Sequence, residues 1–516
     1  MFLNELLLSS VRKYPDKTAV RFGNTSLTYA VFYNRIRRLA AWLQSKGVKR
    51  QDRVAVIAHN SHRYLEIIFA CSMTGAVSEH FNGKLAPNVI RQLLEESTAS
   101  IVMISDLYLE TAQYLKQHLS RPVIFVFMEG TAESYSASDA AACNYEKLLT
   151  NGERITPAAW NERDVALQLY TSGTTGKPKG VMLTAANLKT QVLVSAVEGR
   201  WSHDEIFLCV LPLYHTTCIS VFQVLLVGGE LIISLNCKPH EIAASLEKFQ
   251  ATRTTLVPHL IKSLMQEIET KSYKLDSLRV INYGAAPMTP ELMARCRHNL
   301  SCEFHQAYGM TEMTASISVL LPEMHHDPSL LTTVGKPVIG AEIRIVDDEG
   351  KLMPTGGKGE IIVKSATMMK GYYNNPELTQ AVVRDGWYYT GDIGFFDERG
   401  FLSLVSRKKD MIISGGENIY PQEVAHCIMS MGREIADVAV IGAPDSQLGE
   451  SVIAAVVLRG ERRITEKEII DHCCRKLGQY VKPRRVFFFN KLPRNESGKI
   501  AKNDILSLIN QKIEQE

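Results

Sequence analysis

The chain has 516 residues, of which 45% are hydrophobic and 22% charged, and its formal net charge is +3. This length exceeds what one hydrophobic core supports, so we expect about two to four domains or subdomains. A weak positive charge without a concentrated basic stripe disfavours a nucleic-acid partner.

Secretion and membrane insertion are both disfavoured. The first residues, MFLNELLLSSVRKYPDK, lack a basic leader and a small-residue cleavage site. The most apolar run, CISVFQVLLVGGELIISL from Cys218, is interrupted by Gln223, Gly228 and Gly229. A spanning helix needs about 20 apolar residues in sequence, so this run predicts a buried helix, a glycine turn and a strand. The ten cysteines are scattered without a C-x-x-C pair, which is typical of reduced thiols in a cytoplasmic protein.

The order of predicted elements indicates an α/β fold. Apolar strand-like runs such as RVAVIAH, ASIVMIS, PVIFVFM and RVINYG alternate with helix-like stretches such as YLEIIFACSMTGA and HEIAASLEKFQ. This alternation predicts mainly parallel sheets. From about residue 335, short strands separated by Asp-Glu-Gly and Glu-Arg-Gly turns predict a small antiparallel or barrel-like subdomain. We therefore expect an N-terminal domain over 1–406, with two α/β sheet subdomains and a β-rich subdomain at about 335–406, and an α+β domain over 407–516.

A loop rich in glycine and hydroxyl groups stands out at LYTSGTTGKPKGVMLT, residues 169–184. The phosphate loop of kinases and GTPases needs G-x-x-x-x-G-K-[ST]. Here Gly173 and Gly176 are only two residues apart, and Lys177 is followed by Pro178. Kinase and GTPase chemistry is therefore excluded. Two interpretations remain, a turn that wraps a polyphosphate and an ordinary solvated loop.

Five stretches in order, YTSGTTGKPKG, YGMTE, YYTGD, SRKKDMIISGGENIYP and PRNESGK, give the chain a specific resemblance. It resembles the adenylate-forming superfamily of acyl-CoA synthetases, peptide-synthetase adenylation domains and luciferases over almost its whole length. The resemblance implies that a carboxylic acid attacks the α-phosphate of ATP, that pyrophosphate leaves, and that a thiol then attacks the acyl-AMP. It also implies that the domain over 407–516 is a mobile lid.

Site residues follow from this resemblance, position by position. Lys499 would bridge the attacking carboxylate and the α-phosphate, Thr311 would bond a phosphate oxygen, and Glu312 would ligate Mg²⁺. Lys409 matches the hinge of the lid, and the glycine pair after it would let the pantetheine of CoA pass. The expected CoA-binding residues are Gly415 and Gly416. The expected ATP- and AMP-binding residues are Thr171, Ser172, Gly173, Thr174, Thr175, Gly176, Lys179, Ala285, Ala286, Pro287, Tyr308, Gly309, Asp392 and Arg407.

The acyl pocket is expected to be formed by His215, which is also a catalytic candidate, and by His259, Tyr283 and Gly284. Each apolar position in this set is equally well explained as plain core. The chain departs from the usual family pattern at three positions. His80 and His259 replace prolines, and Ser406 stands where Gly or Asp often precedes the arginine. His259 alters the polarity of the expected pocket, so a purely aliphatic acid is less favoured.

The leading hypothesis is an ATP-dependent acid–CoA ligase for a medium-chain fatty or aryl/arylpropenoic acid. The main alternative is an acyl-AMP ligase that loads a separate acyl carrier protein, since this chain shows no carrier domain of its own. A non-catalytic nucleotide-binding regulator should have lost one of Glu312, Asp392 and Lys499, and all three are present.

Overall fold

The computed structural model describes residues 3–129, 142–150, 155, 158, 161–171, 178–286, 288–414, 417–432, 434–445, 447–460, 464–494 and 500–515. The chain divides into two compact units. The first contains Met1–Glu342 and Lys364–Tyr388, and the second contains Ile343–Val363 and Tyr389–Glu516. The β-rich region expected at 335–406 is thus divided between the two units, and the proposed boundary at residue 406 stays a prediction.

The first unit contains an eight-stranded sheet whose central strands are parallel. Its strands read as nearly continuous apolar runs because helices cover both faces of such a sheet. On one face, the helices Pro87–Ser97 and Leu109–His118 contribute Leu93, Leu94 and Leu115 to a buried core with Val102 and Phe125. In spatial order the strands are β19 (Gly371–Tyr372), β9 (Lys179–Thr184), β8 (Val165–Thr171), β4 (Val77–His80), β3 (Arg53–Ile57), β5 (Ile101–Ile104), β6 (Ile124–Phe127) and β7 (Ala142–Asn144).

A nine-stranded sheet lies in the same unit. Its five central strands are mutually parallel, and three helices pack on one face through a core that includes Leu246, Leu264 and Met293. These helices are Pro239–Lys248, Pro258–Thr270 and Pro290–Asn299. In spatial order the strands are β16 (Lys336–Pro337), β15 (Ser316–Leu320), β14 (Glu303–Gly309), β13 (Val280–Gly284), β12 (Arg253–Leu256), β10 (Ile206–Cys209), β11 (Glu230–Ile233), β1 (Thr18–Phe22) and β2 (Thr25–Thr28).

The helices of the first unit begin with ordinary capping signals. Thr184 and Asn187 form a capping box at the start of the helix Ala185–Glu198. Gly75 ends the helix His62–Thr74 in the left-handed conformation. The helices are α1 (Leu3–Lys13), α2 (Tyr29–Ser45), α3 (His62–Thr74), α4 (Pro87–Ser97), α5 (Leu109–His118), α6 (Tyr145–Leu148), α7 (Ala185–Glu198), α8 (Cys218–Val227), α9 (Pro239–Lys248), α10 (Pro258–Thr270), α11 (Pro290–Asn299) and α12 (Pro376–Val382).

The second unit begins with antiparallel strands and continues into an α+β region. Strands β21 (Trp387–Phe396) and β22 (Leu402–Arg407) form the hairpin predicted at the Glu-Arg-Gly turn, where Gly400 has φ +77°. The neighbours of β21 are β18 (Gly359–Ser365) and then β17 (Ala341–Val346). On its other side, β20 (Val383–Arg384) pairs with Trp387 and Tyr388, which belong to the first unit.

The α+β region buries both faces of its sheet. Along β26, Val452, Ala454 and Val456 belong to one core, and Ile453 and Ala455 to another. This alternation follows from the two-residue period of a strand. The elements are β23 (Ile412–Ser414), β24 (Glu417–Ile419), α13 (Pro421–Met429), β25 (Ile435–Asp445), β26 (Gly449–Leu458), α14 (Glu466–Leu477), β27 (Arg485–Phe488) and α15 (Lys502–Gln515).

The fold class expected from the sequence is confirmed. Two largely parallel α/β sheets, a smaller antiparallel sheet and a C-terminal α+β region are all present. The apolar run from Cys218 forms α8, a turn with Gly228 at φ +83°, and β11, as predicted. Within the described parts of the chain, no helix is long and apolar enough to cross a bilayer. All ten cysteines are free.

Candidate active site

The glycine- and threonine-rich loop is anchored at its base by the β8–β9 hairpin. Thr171 and Lys179 lie opposite each other as a cross-strand pair. Strand β8 also pairs with β4 in the interior of the sheet, so the base of the loop is held by strands on both sides. The predicted phosphate-binding residues inside the loop, Ser172, Gly173, Thr174, Thr175 and Gly176, lie outside the described residues.

A tyrosine that the sequence interpretation missed connects this hairpin to Glu312. Strand β19 pairs with β9 and sets Tyr372 beside Val181. The ammonium of Lys179 lies 5.5 Å from the centre of the Tyr372 ring. The Tyr372 hydroxyl donates a hydrogen bond to Oε1 of Glu312 at 2.8 Å. Burial and the neighbouring Glu312 carboxylate raise the pKa of Tyr372, so the hydroxyl stays protonated and remains a donor.

Backbone hydrogen bonds from the segment before β19 fix the same turn. The N–H of Met369 donates to the carbonyl of Glu312 at 2.7 Å, and the N–H of Lys370 donates to the carbonyl of Met182 at 2.9 Å. One short segment therefore bonds both the loop hairpin and the Glu312 turn. The only sequence signal for it is an aromatic pair after Gly371, which by itself predicts nothing about a site.

The turn that carries Thr311 and Glu312 is sterically constrained. A Cβ on Gly309 would lie 1.8 Å from the carbonyl oxygen of Ala315, so only glycine fits where β14 returns into β15. Thr314 has φ +65°, and its hydroxyl donates to the carbonyl of Thr367 at 2.6 Å. Thr311 and Glu312 are half-buried in the 3₁₀ turn between these two positions. Their position follows from close backbone packing.

Several predicted residues meet at the carboxyl edge of the nine-stranded sheet. Gly284 at the end of β13 pairs with Ala307 of β14, and a Cβ on Gly284 would lie 2.4 Å from the Ala307 carbonyl oxygen. Ala285 follows with φ +65° and is exposed, and Ala286 is half-buried. Tyr308, predicted at the adenine, is 9% exposed. Pro287 lies outside the described residues. Ligands of open α/β sheets bind outside the carboxyl ends of the strands, which is where these residues lie.

The two histidines of the expected acyl pocket lie beyond the same edge. His215 follows β10 and His259 follows β12, and both are exposed. The His215 ring packs against Tyr214 with centroids 4.5 Å apart. Tyr283, in contrast, is buried in the core behind the sheet, where its hydroxyl and Nε2 of His325 are 2.9 Å apart. Its place in an acyl pocket stays a prediction.

In the second unit, the antiparallel register brings two predicted nucleotide-binding residues together. Asp392 of β21 pairs with Arg407 of β22, and Nε of Arg407 lies 2.9 Å from Oδ1 of Asp392. The Asp392 side chain is 7% exposed and the Arg407 side chain 48% exposed. Lys409, the predicted hinge residue, is exposed in the 3₁₀ turn that follows. The predicted residues Gly415, Gly416 and Lys499 lie outside the described residues.

Two of the three residues that depart from the usual family pattern, His80 and Ser406, are buried inside the fold. His80 is fully buried, with Nε2 2.8 Å from the Ser78 hydroxyl and its ring edge-on to Tyr64. Burial lowers the pKa of His80 to about 3, so it stays neutral. Ser406 is 4% exposed on β22, and its hydroxyl donates to the carbonyl of Arg407.

A buried carboxylate on β4 accepts hydrogen bonds from β8, the first strand of the loop hairpin. Glu79 of β4 is fully buried and accepts hydrogen bonds from the Tyr170 hydroxyl at 2.7 Å and from Gln168 Nε2 at 2.8 Å. Burial raises the pKa of Glu79 to about 7, against the opposing effects of Tyr170, Arg53 and Arg121. Since Tyr170 directly precedes Thr171, this network positions the base of the loop.

Glu79→Gln is expected to make stability less dependent on pH. Because the folded-state pKa is raised, folded wild-type protein holds a proton that the unfolded chain releases between pH 4.5 and 7. Wild-type stability therefore falls across this window, by about 3 kcal/mol from this group. Thermal unfolding midpoints from pH 4.5 to 8 measure the effect. Glu162→Gln is the control, since Glu162 is 67% exposed, and an unchanged pH profile in Glu79→Gln would contradict the assignment.

Two models of known protein families match the chain. The model of the AMP-binding enzyme family matches residues 7–373. The chain belongs to the AMP-binding enzyme family. The model of the AMP-binding enzyme C-terminal domain matches residues 423–499.

Relatives of this AMP-binding enzyme match it over nearly full length. A feruloyl-CoA synthase from Amycolatopsis sp is 35% identical over 497 residues, 96% of both chains. An indoleacetate–CoA ligase from Aromatoleum aromaticum is 32% identical over 505 residues, again 96% of both chains. The O-succinylbenzoate coenzyme A synthetase of Bacillus subtilis, solved in complex with ATP and magnesium ion, has a TM-score of 0.82 and 28% identity, with 97% and 99% of the two chains covered.

These comparisons confirm the predicted superfamily and the predicted enzyme class. This AMP-binding enzyme belongs to a family of adenylate-forming acid–CoA ligases, for which ATP and CoA are co-substrates. The roles of individual residues remain predictions.

Proposed function

We propose that this enzyme is an ATP-dependent acid–CoA ligase that acts on an aromatic carboxylic acid. The observation that carries the proposal is the contact series Lys179–Tyr372–Glu312. The Lys179 ammonium at the base of the loop and the Glu312 carboxylate at the edge of the sheet both contact the Tyr372 side chain. A bound polyphosphate needs positively charged groups around it, and the Mg²⁺ ion that accompanies ATP needs oxygen ligands.

In the first half-reaction, a carboxylate oxygen of the acid attacks the α-phosphorus of ATP. A bond forms between that oxygen and phosphorus, and the bond to the bridging oxygen breaks, so that pyrophosphate leaves with the electron pair. Lys499 is proposed to stabilise the charge that develops at the α-phosphate. Thr171, Lys179 and the loop residues between them are proposed to bind the departing phosphates, and Thr311 to bond a phosphate oxygen.

Glu312 fits a magnesium ion because Mg²⁺ takes hard oxygen ligands, usually one or two carboxylates together with substrate phosphates. No cluster of three or more His, Cys, Asp and Glu side chains suited to a metal occurs among the described residues. When bound, the ion would neutralise charge on the phosphates. The Tyr372 hydroxyl donates to Oε1 of Glu312, and the other carboxylate oxygen is proposed to face the metal.

The remaining nucleotide contacts are assigned by position. Asp392 carries a nearly buried carboxylate suited to accept both ribose hydroxyls, and Arg407 fixes its orientation. Tyr308, Gly309 and Ala285 to Pro287 are proposed to flank the adenine from the ends of β13 and β14.

In the second half-reaction, the CoA thiolate attacks the acyl carbonyl carbon of the acyl-AMP, a thioester bond forms, and AMP leaves. Passage of pantetheine is assigned to Gly415 and Gly416, where the absence of side chains permits close approach. Lys409 is proposed as the hinge about which the C-terminal domain turns between the two half-reactions.

An aromatic acid is favoured over a medium-chain fatty acid on two grounds. The relatives that are 35% and 32% identical are named for feruloyl and indoleacetate substrates. The polar, exposed His215 and His259 stand beyond the strand ends where the acid is proposed to bind, and their ring nitrogens can hydrogen-bond polar ring substituents, which an alkyl chain lacks.

A panel of acids measured by ATP-dependent pyrophosphate release tests the proposal. We expect arylpropenoic and arylacetic acids to be turned over with a higher kcat/KM than C6 to C12 fatty acids. Release with fatty acids alone would overturn the aromatic assignment. Thioester formation with free CoA, measured beside loading of a purified acyl carrier protein, tests the acceptor. Acylation of the carrier alone would replace the CoA ligase with the carrier-loading alternative.

A further inference from the structure

The contacts of Tyr372 suggest a function for a residue to which no role was assigned above. We propose that Tyr372 is a positioning residue that sets the Glu312 carboxylate, and with it the affinity of the site for metal-bound ATP. This inference rests on the proposed function. It adds a residue that lies 60 positions from its partner in the chain.

The Tyr372 side chain is held in place from three directions. Strand pairing fixes its backbone opposite Val181. Its N–H donates to the Thr379 hydroxyl at 2.9 Å, and the residue as a whole is 6% exposed. A side chain fixed in this way presents its hydroxyl to Oε1 of Glu312 at 2.8 Å, and the Tyr388 side chain hydrogen-bonds to the same hydroxyl. Hydrogen bonds of this kind lock the orientation of a metal-ligating carboxylate.

The same side chain also contacts the phosphate-binding cation. Lys179 lies over the Tyr372 ring, and Glu312 accepts from its hydroxyl. The ammonium therefore lies over the face of the Tyr372 ring and the carboxylate at its hydroxyl, so both groups contact one aromatic side chain.

The test uses Tyr372→Phe, which keeps the ring and its contact with Lys179 but removes the hydroxyl. The matched control is Tyr373→Phe. Tyr373 is the next residue, its hydroxyl donates to the carbonyl of Glu96 at 3.3 Å, and its ring packs on Arg53. Calorimetric titration of the full chain with ATP, at a series of Mg²⁺ concentrations and without acid or CoA, measures nucleotide binding directly.

We expect Tyr372→Phe to raise the Mg²⁺ concentration needed for half-maximal ATP binding by about tenfold, the value of a hydrogen bond to a charged acceptor. Tyr373→Phe should be unchanged. In a Glu312→Gln background, Tyr372→Phe should add little, because a residue that acts through Glu312 loses its effect once the carboxylate is gone.

The outcomes separate the inference from the proposed function. Equal Mg²⁺ dependence in wild-type protein and Tyr372→Phe, or a full additional loss in the Glu312→Gln background, would overturn the positioning role. Failure of the wild-type chain to bind ATP at any Mg²⁺ concentration would instead remove the proposed function. A matching loss in Tyr373→Phe would show a general structural effect, and this too counts against Tyr372.

Discussion

Lys499→Ala is expected to lower acid-dependent pyrophosphate release by about a hundred- to a thousandfold, the usual effect of removing a group that stabilises transition-state charge. The same variant should still convert supplied acyl-AMP and CoA to the thioester at nearly the wild-type rate. The physical reason is the division of labour in the proposed mechanism. Bonds to the α-phosphorus are made and broken only in the first half-reaction, whereas the thiol step takes place at the acyl carbon and AMP leaves with its phosphorus centre unchanged.

The two half-reactions should be assayed separately, by pyrophosphate release with acid and ATP and by thioester formation from synthetic acyl-AMP. Lys491→Ala is the matched control, because Lys491 is an exposed lysine near the same sequence stretch. It should leave both rates unchanged. If Lys499→Ala lowers both half-reactions equally, the assignment of Lys499 to adenylation is wrong.

Glu205→Ala is expected to destabilise the first unit by about 3–5 kcal/mol, the cost of leaving a buried charge without its partner. Arg253 and Glu205 form an ion pair at 3.0 Å with side chains 4% and 3% exposed. The guanidinium also lies 4.6 Å from the Trp201 ring. Burial lowers the pKa of Arg253, yet the group stays charged. Removing Glu205 therefore leaves a desolvated cation held by Asn282 and an aromatic face.

Urea unfolding followed by tryptophan fluorescence measures this effect, since all four tryptophans fall within the ranges of the first unit. The control is Asp204→Ala, one residue earlier, whose carboxylate is 53% exposed and pairs with Arg279 at 2.7 Å. It should cost less than about 1 kcal/mol. Combining Glu205→Leu with Arg253→Met should recover much of the loss. A small effect of Glu205→Ala would show that the pair contributes little.

The fold was largely predictable because its signals are local. The strands β3, β5, β6 and β13 coincide with apolar runs, since each is buried in a parallel sheet. The helix, turn and strand from Cys218 follow from two consecutive glycines within an apolar run. What the sequence did not indicate is how 343–363 and 389–406 group with the C-terminal residues, because grouping depends on contacts between distant segments.

The candidate site was predictable only where residue type and motif coincide. Glu312, Asp392 and Arg407 are named by their motifs, and the register of β21 and β22 then accounts for the ion pair. The Tyr372–Glu312 hydrogen bond and the Glu79–Gln168 hydrogen bond join residues 60 and 89 positions apart. Such partners are set by strand order. A single sequence carries no signal for such distant hydrogen-bond partners.

Close packing makes the end of β14 less tolerant of substitution than the exposed segments that follow β10 and β12. Gly309 has no room for even one methyl group against Ala315, and a Cβ on Gly335 would meet the Val319 carbonyl oxygen at the same 1.8 Å. His215 and His259 are exposed beyond β10 and β12. Substitutions at these two histidines, which are proposed to contact the acid, are therefore expected to cost little in folding stability. A side chain at Gly309, just before the turn that carries Glu312, would clash with the backbone, so the proposed metal-binding turn tolerates less change than the positions proposed to contact the acid.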